Sequence, residues 1–382
     1  MRIDFARSEQ STLGVEWEIG LVDATTGELV SRADEVLDAV HREDPRWAAD
    51  DDHPHIAREL LLNTVELVTG VCHTVEEATA DLSRSLESVR AVTDPRGIEL
   101  FSAGTHPFSH SGSQPVTNKE RYAKLIDRTQ WWGRQMLIYG VHVHVGLDHR
   151  DKALPVVDGL VNYFPHLQAL SASSPFWDGE DTGYASQRAL IFQQLPAAGL
   201  PYHFDDWAEY ERYAGDMFTT GVIDVLNEIR WDVRPSPTLG TVEMRICDGV
   251  SSLREVGAIA ALTQCLVTEL SDLLDAGGSI PVMPPWHRSE NKWRAARYGL
   301  EAIIILGADS RERLVTDELM DTINRLEPIA DRLGCRNELA GVEDILRDGA
   351  GYQRQRRVAE EHAGDLRAVV LDAVARMRQP VA

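Results

Sequence analysis

Lysine is nearly missing. Lys119, Lys124, Lys152 and Lys292 are the only lysines in 382 residues, and arginine supplies the other 34 of the 38 basic side chains. That usage reads as the codon preference of a G+C-rich genome. Positive charge is short as well: 61 acids against 38 bases leave a formal net charge of −23. Such a surface repels a phosphate backbone and an anionic bilayer, which disfavours nucleic-acid and membrane partners. Cysteine is scarce too. Cys72, Cys247, Cys265 and Cys335 have no metal-ligand spacing and are too few for a disulfide scaffold. They read as reduced thiols in a cytoplasmic protein, with Cys247 a small buried one.

Long apolar runs are absent. The nearest, Val256 to Val267, is interrupted by Thr263 and Gln264 and falls short of the roughly 18 residues of a membrane span. The first residues, Met1 to Arg7, carry no hydrophobic signal region. No Walker A motif occurs, and Gly14, Gly20 and Gly27 do not form G-x-G-x-x-G, which disfavours P-loop and dinucleotide-binding folds. There is no internal repeat, low-complexity segment or long linker. Hydrophobic residues make up 43%, with nine Trp, nine Tyr and eight Phe. That is enough for a sizeable core and excludes a disordered chain.

Helical periodicity dominates by length. Val75, Ala78, Leu82, Leu86 and Val89 follow a 3.6-residue period. Thr74 and Glu77 precede them as a capping box. Similar patterns predict helices over 33–42, 118–137, 153–171, 183–194, 206–217, 251–276, 309–333 and 352–378.

Between them lie short segments of strict alternation. Val15, Trp17, Ile19 and Leu21 point one way, and Glu16 and Glu18 the other. Glu66 opposes Val65 and Leu67, and His142 and His144 oppose Val141, Val143 and Val145. Arg230, Asp232 and Arg234 oppose Trp231 and Val233, and Glu243 and Arg245 oppose Val242, Met244 and Ile246. One half-solvated strand is ordinary in an antiparallel sheet. Polar faces made of Glu, His and Arg are not. If the strands share a sheet, these groups converge on one face, with helices over the other.

Their chemistry is specific. Oxygen-rich donors select Mg²⁺ or Mn²⁺. Glu16 and Glu18 can each hold a different ion, Glu59 and Glu66 are further candidates, His142 adds an imidazole and Glu243 a carboxylate. So many acids in one place require cations, or their pKa values rise. Arg230, Arg234 and Arg245 on the same faces suit phosphate or carboxylate oxygens. Arg188 is a candidate for a substrate carboxylate. Metal plus arginine around phosphates is the arrangement of phosphoryl transfer.

Seven stretches, in order along nearly the whole chain, carry a resemblance. They are Gly14-Val-Glu-Trp-Glu-Ile-Gly20, Gly140-Val-His-Val-His-Val-Gly146, Leu170-Ser-Ala-Ser-Ser-Pro-Phe-Trp177, Asp181-Thr-Gly-Tyr-Ala-Ser186, Trp231-Asp-Val-Arg-Pro235, Gly240-Thr-Val-Glu-Met-Arg-Ile-Cys-Asp248 and Glu290-Asn-Lys-Trp-Arg-Ala-Ala-Arg-Tyr-Gly299. Through them the chain resembles the carboxylate–amine ligases of the glutamate–cysteine ligase superfamily, particularly the bacterial YbdK-type group.

The resemblance implies an α+β, glutamine-synthetase-like fold. A curved antiparallel sheet would hold ATP, two or three Mg²⁺ and the acceptor carboxylate on its concave polar face. It implies that Glu16 and Glu18 are paired ligands of separate metals, that Glu59 and Glu66 are the acidic pair further along, and that His142 is the metal histidine. His144 would face the nucleotide, Glu243 would be the last metal carboxylate, and Arg245 would sit on the transferred phosphate. Arg234 would act beside Arg245 in catalysis, and Arg230 and Arg188 beside His144 in cofactor binding. The implied reaction joins the γ-carboxyl of glutamate, or a related acid, to cysteine or a related amine through an acyl phosphate.

One catalytic domain over 1–382 is expected, with helices of about 309–378 as a packing extension. The partners expected are small-molecule substrates and, by resemblance, a second copy of the chain in a homo-oligomer. Lys292, Arg294 and Arg297 read equally as a helix face toward a neighbouring subunit. His53, His55 and His73 read as loop residues. Two other functions compete: a nucleotide or amino-acid sensor on the same fold, and a metal-dependent amidohydrolase suggested by His142-Val143-His144.

Overall fold

Alternation decides which face of each strand is covered. Val15, Trp17, Ile19 and Leu21 of one strand, Val141, Val143 and Val145 of another, and Val242 and Met244 of a third are all buried in one apolar core. The computed structural model describes residues 1–43 and 55–379. His53 lies outside them.

Strands run over Leu13–Asp23 (β1), Ile56–Arg58 (β2), Thr64–Val68 (β3), Ile98–Phe101 (β4), Val141–Gly146 (β5), Phe176–Trp177 (β6), Glu180–Asp181 (β7), Ala198–Gly199 (β8), Arg230–Trp231 (β9), Val233–Ser236 (β10), Thr241–Met244 (β11), Ile303–Ile305 (β12) and Glu312–Leu314 (β13). The main sheet has the order β10-β11-β5-β1-β3-β2, with β4 on the second half of β1. Every pairing in it is antiparallel.

Helices run over Ala33–Glu43 (α1), Val75–Thr93 (α2), Glu120–Thr129 (α3), Trp131–Arg134 (α4), Ala153–Ser171 (α5), Arg188–Phe192 (α6), Trp207–Thr219 (α7), Leu253–Asp275 (α8), Pro285–Tyr298 (α9), Val315–Leu333 (α10), Arg336–Asp348 (α11), Gly351–Glu361 (α12) and Leu366–Met377 (α13). α2, α5 and α8 cover the apolar face of the sheet, and α10 and α11 pack outside α8. α8 is long and apolar enough to cross a membrane by composition, but 83% of its apolar window is buried in the protein. It is a core helix between two layers. Thr74 and Glu77 form the capping box of α2.

Several boundaries differ from the periodicity. The helix expected over 118–137 breaks at Gln130, whose φ of 49° no continuous helix accepts. The one expected over 183–194 shortens to α6, because residues 183–186 instead form a loop pinned by backbone bonds from Ala185 and Ser186 to the Ala296 carbonyl. The one expected over 352–378 divides at residues 362–365, where Ala363 and Gly364 both take positive φ. The run 309–333 is helical only from Val315, and Glu312–Leu314 pair as β13. The strand read over 230–234 is interrupted at Asp232. β9 pairs in parallel with β8, while β10 pairs with β11.

Candidate active site

The register of the main sheet sets the polar groups opposite one another. Arg234 faces Glu243 across β10–β11, and Glu243 faces His144 across β11–β5. Glu16 faces His142 across β5–β1, and Glu18 faces Glu66 across β1–β3. Cross-strand neighbours on one face lie within side-chain reach, so a line of acids, imidazoles and arginines crosses the sheet.

Distances confirm that they touch. His142 Nδ1 is 3.0 Å from Glu16 Oε2. His144 Nε2 lies 3.4 Å from Glu16 Oε1 and 3.7 Å from Glu243 Oε1. Arg234 Nε donates to Glu243 Oε2 at 2.6 Å, and Arg245 Nη1 donates to Glu243 Oε1. Three overlapping groups each bring potential ligand atoms within 4.8 Å of one another: Glu16–Glu66–His142, Glu16–His144–Glu243 and Glu18–Glu59–Glu66. Oxygens with one or no imidazole form a donor set that suits Mg²⁺ or Mn²⁺.

The electrostatics divide this line in two. Burial works to raise Glu243, but Arg234, Arg245 and His144 outweigh it and hold the carboxyl well below its ordinary range. Burial also opposes ionisation of Glu16, and hydrogen bonds from His142 and His144 overcome it. On the other side, burial pushes Glu18 up to about 7, with the charge of Glu59 adding to it. Glu66 is raised well above its ordinary range by burial and by Glu59, Glu16 and Glu18. Burial raises Glu59 as well. The nearby arginines do not offset burial and repulsion at these three acids, and a divalent ion there would.

Arg188 organises His142. Its Nη2 donates to His142 Nε2 at 2.9 Å, and its Nη1 donates to the Arg245 carbonyl at 2.8 Å. A guanidinium has only donors, so Nε2 accepts and the imidazole proton sits on Nδ1, toward Glu16. Burial, then the charge of Arg245, pushes His142 down to about 4, so it is neutral. Gly140 makes room for this contact: a Cβ there would lie 2.2 Å from Arg188 Nη2.

Buried Asp248 places Arg188. It accepts from the Ser173 N–H at 3.0 Å, the Ser174 hydroxyl at 2.6 Å and the Ser186 hydroxyl at 2.9 Å. Ser174 Oγ in turn accepts the N–H groups of Gln187 and Arg188. The Ser-rich, Asp181–Ser186 and Asp248 stretches of the sequence are thus one bonded unit. α9 joins another. Lys292 Nζ donates to Asp232 at 2.6 Å, both side chains nearly fully buried. Asp232 therefore does not share the polar face of Arg230 and Arg234, contrary to the alternation, because the strand breaks there. Lys292 likewise faces inward, not toward a neighbouring subunit.

A cavity of about 400 Å³ lies over the line, bordered by Glu16, Glu18, Glu59, Glu66, His142, Arg188, Arg230 and Arg245. Arg230 pairs with Glu228 at 3.2 Å. Arg234 borders an adjoining cavity of about 240 Å³ and donates to the carbonyls of Asn227 and Ile229. His144 stands between Glu16 and Glu243, with Nδ1 2.9 Å from the Thr241 hydroxyl. Cys247 is buried in the core, as expected, and lies outside both cavities. The same cavity has walls the alternation did not reveal: Arg121, Tyr122, Leu125, Met136, Phe192 and Leu195. These come from helices and loops, which strand alternation does not place.

The sequence profile of Glutamate-cysteine ligase family 2 matches residues 12–372. The chain belongs to this family. Among relatives of the glutamate-cysteine ligase family, “Putative glutamate–cysteine ligase 2-1” of Arthrobacter sp. (strain FB24) is 73% identical over 378 residues, covering 99% of both chains. “Putative glutamate–cysteine ligase 2” of Mycobacterium tuberculosis (strain ATCC 25618 / H37Rv) is 58% identical over 376 residues, covering 98% of this chain and 97% of the relative. The fold resembles a glutamate–cysteine ligase from Francisella tularensis, solved with AMP, at TM-score 0.68 and 15% identity over 99% of this chain and 90% of that one. It also resembles a bifunctional glutathione synthetase from Pasteurella multocida, at TM-score 0.66 and 16% identity over 96% of this chain and 52% of that longer one. The fold is α+β and is shared with these two enzymes, and the enzyme class of the family is an ATP-dependent ligase forming C–N bonds. β5 pairs antiparallel on both sides, so its H-x-H does not sit in the parallel barrel that the amidohydrolase reading needs.

Proposed function

We propose that the chain activates the γ-carboxyl of glutamate or a related acid with ATP and couples it to cysteine or a related amine, releasing ADP and phosphate. The observation that carries this reading is the run of three oxygen-rich donor groups along one sheet face, with Arg245 at the main cavity and Arg234 beside Glu243 at the adjoining one. Glu16 and Glu66 would hold one Mg²⁺, with His142 joining through Nε2 once Arg188 releases it, Glu16, His144 and Glu243 a second, and Glu18, Glu59 and Glu66 a third. Bound there, the ions neutralise phosphate charge and orient the phosphoryl group.

The chain's own residues do the rest. Arg245 would donate to the phosphoryl oxygens as charge moves onto them, with Glu243 holding it in place. Arg234 would support the same oxygens from the neighbouring strand. Burial keeps His142 neutral, and Arg188 orients it. Bound substrates would have to keep water from an acyl phosphate, whose hydrolysis would waste ATP. The four free thiols suit a reducing cytoplasm. ADP release with MgCl₂, ATP and panels of acids and amines tests the reading. Release that depends on an added acid and an added amine supports it; release indifferent to both contradicts it.

A further inference from the structure

Three of the four arginines lining the cavity already have strong partners. Arg230 pairs with Glu228, Arg245 with Glu243, and Arg188 donates to His142 and a carbonyl. Arg121 differs. Among the described residues no carboxylate lies within 4.0 Å of its guanidinium, and its hydrogen bond goes to the neighbouring Tyr122 hydroxyl. It is exposed at the cavity wall.

Its position is nevertheless fixed. The Thr117 hydroxyl donates to the Glu59 carbonyl at 2.6 Å, and the Thr117 N–H to the Leu60 carbonyl at 2.8 Å. The Tyr122 hydroxyl reaches the Arg58 carbonyl at 3.3 Å. The first turn of α3 is thereby fastened to the segment that carries Glu59. Burial and the charge of Glu59 raise the Tyr122 phenol, so it keeps the proton it donates to the Arg58 carbonyl. Beside this pair the wall turns apolar, with Leu60, Leu125, Met136 and Ile138.

We propose that Arg121, held against Tyr122, receives a substrate carboxylate that does not react. The substrate it selects is an α-amino acid whose carboxylate meets the guanidinium while its side chain lies along the apolar wall. A planar fork of donors stacked on the Tyr122 ring and without a carboxylate partner suits a substrate carboxylate. Both substrates of an amino-acid ligase can carry such a carboxylate, and the assignment rests on the ligase reading.

The test uses the full chain with MgCl₂ and ATP, in two arms. In the first, hydroxylamine replaces the amine and hydroxamate is measured against the concentration of L-glutamate and related acids. In the second, L-cysteine is compared with cysteamine, its decarboxylated counterpart. Arg121→Gln is expected to raise KM for the carboxylate-bearing substrate by about 10- to 100-fold, with little change in kcat or in KM for ATP. Arg121→Lys recovers part of the loss. A rise in the hydroxamate arm assigns the acid's carboxylate; a rise confined to cysteine, with cysteamine unaffected, assigns the amine's. Hydroxamate formed with unchanged KM for every substrate in Arg121→Gln refutes this inference alone. No hydroxamate from any acid with the wild-type chain refutes the ligase reading and this inference with it.

Discussion

Glu16 and His142 meet across the β1–β5 ladder with Oε2 and Nδ1 3.0 Å apart. Glu16 also belongs to two of the three donor groups. Glu16→Gln keeps the shape and removes the charge. Turnover is expected to fall at least about 100-fold, with the far-UV circular dichroism unchanged. Near-normal turnover contradicts the assignment.

Proton competition gives the site a pH signature. Glu18, pushed up to about 7, and Glu59 and Glu66, raised as well, hold protons in the folded state above their ordinary value of 4.5. The Glu18 contribution to stability is complete below 4.5 and is lost as pH rises through about 7, and those of Glu59 and Glu66 have the same sign. Glu16 and Glu243 have the opposite sign: depressed in the folded state, they stabilise above 4.5 and lose that as pH falls. Mg²⁺ must displace protons from the first group. The rise in Tm on adding MgCl₂ to EDTA-treated protein should therefore be larger near pH 8 than near pH 5.5. An equal rise at both would count against the donor set.

A Cβ at Gly140 would lie 2.2 Å from Arg188 Nη2, so a side chain there must displace the guanidinium. Gly140→Ala is expected to cost about 1–3 kcal/mol and to weaken Mg²⁺ binding about 10- to 100-fold, read by urea unfolding and calorimetry. Unchanged Mg²⁺ affinity would show that Arg188 does not position His142.

Lys292 and Asp232 form a buried ion pair away from the cavity. Lys292→Met leaves an unpaired buried carboxylate and should cost about 3–5 kcal/mol. Adding Asp232→Leu should recover much of that loss. Failure of the double variant to recover would mean that Lys292 does more than pair with Asp232.

Much of this site is legible in alternation alone. Glu16, Glu18, Glu66, His142 and Glu243 share a face because side chains on a strand have a period of two, and the register then brings them together. The same rule misplaces Asp232, since it assumes an unbroken strand and β9 ends at Trp231. The break at Gln130 depends on a backbone angle that most residue types can refuse, and nothing in the apolar pattern of 118–137 signals it. β4, α9 and α11 were not anticipated: β4 is four residues long, and the buried face of α9 carries Arg288, Asn291 and Lys292 in place of an apolar stripe. Arg188 and Arg121 show the further limit. Charge is visible in the sequence, but which arginine is paired and which is free depends on contacts between segments far apart in the chain.

The acyl phosphate is the centre of the account, and oxygen transfer reads it directly. With ¹⁸O in the γ-carboxyl of glutamate, or in the carboxyl of whichever acid supports ADP release, one labelled oxygen should pass to the phosphate when the amide forms. Mass spectrometry of the released phosphate carrying one ¹⁸O is the predicted result. Phosphate free of label, released alongside the amide, would contradict it.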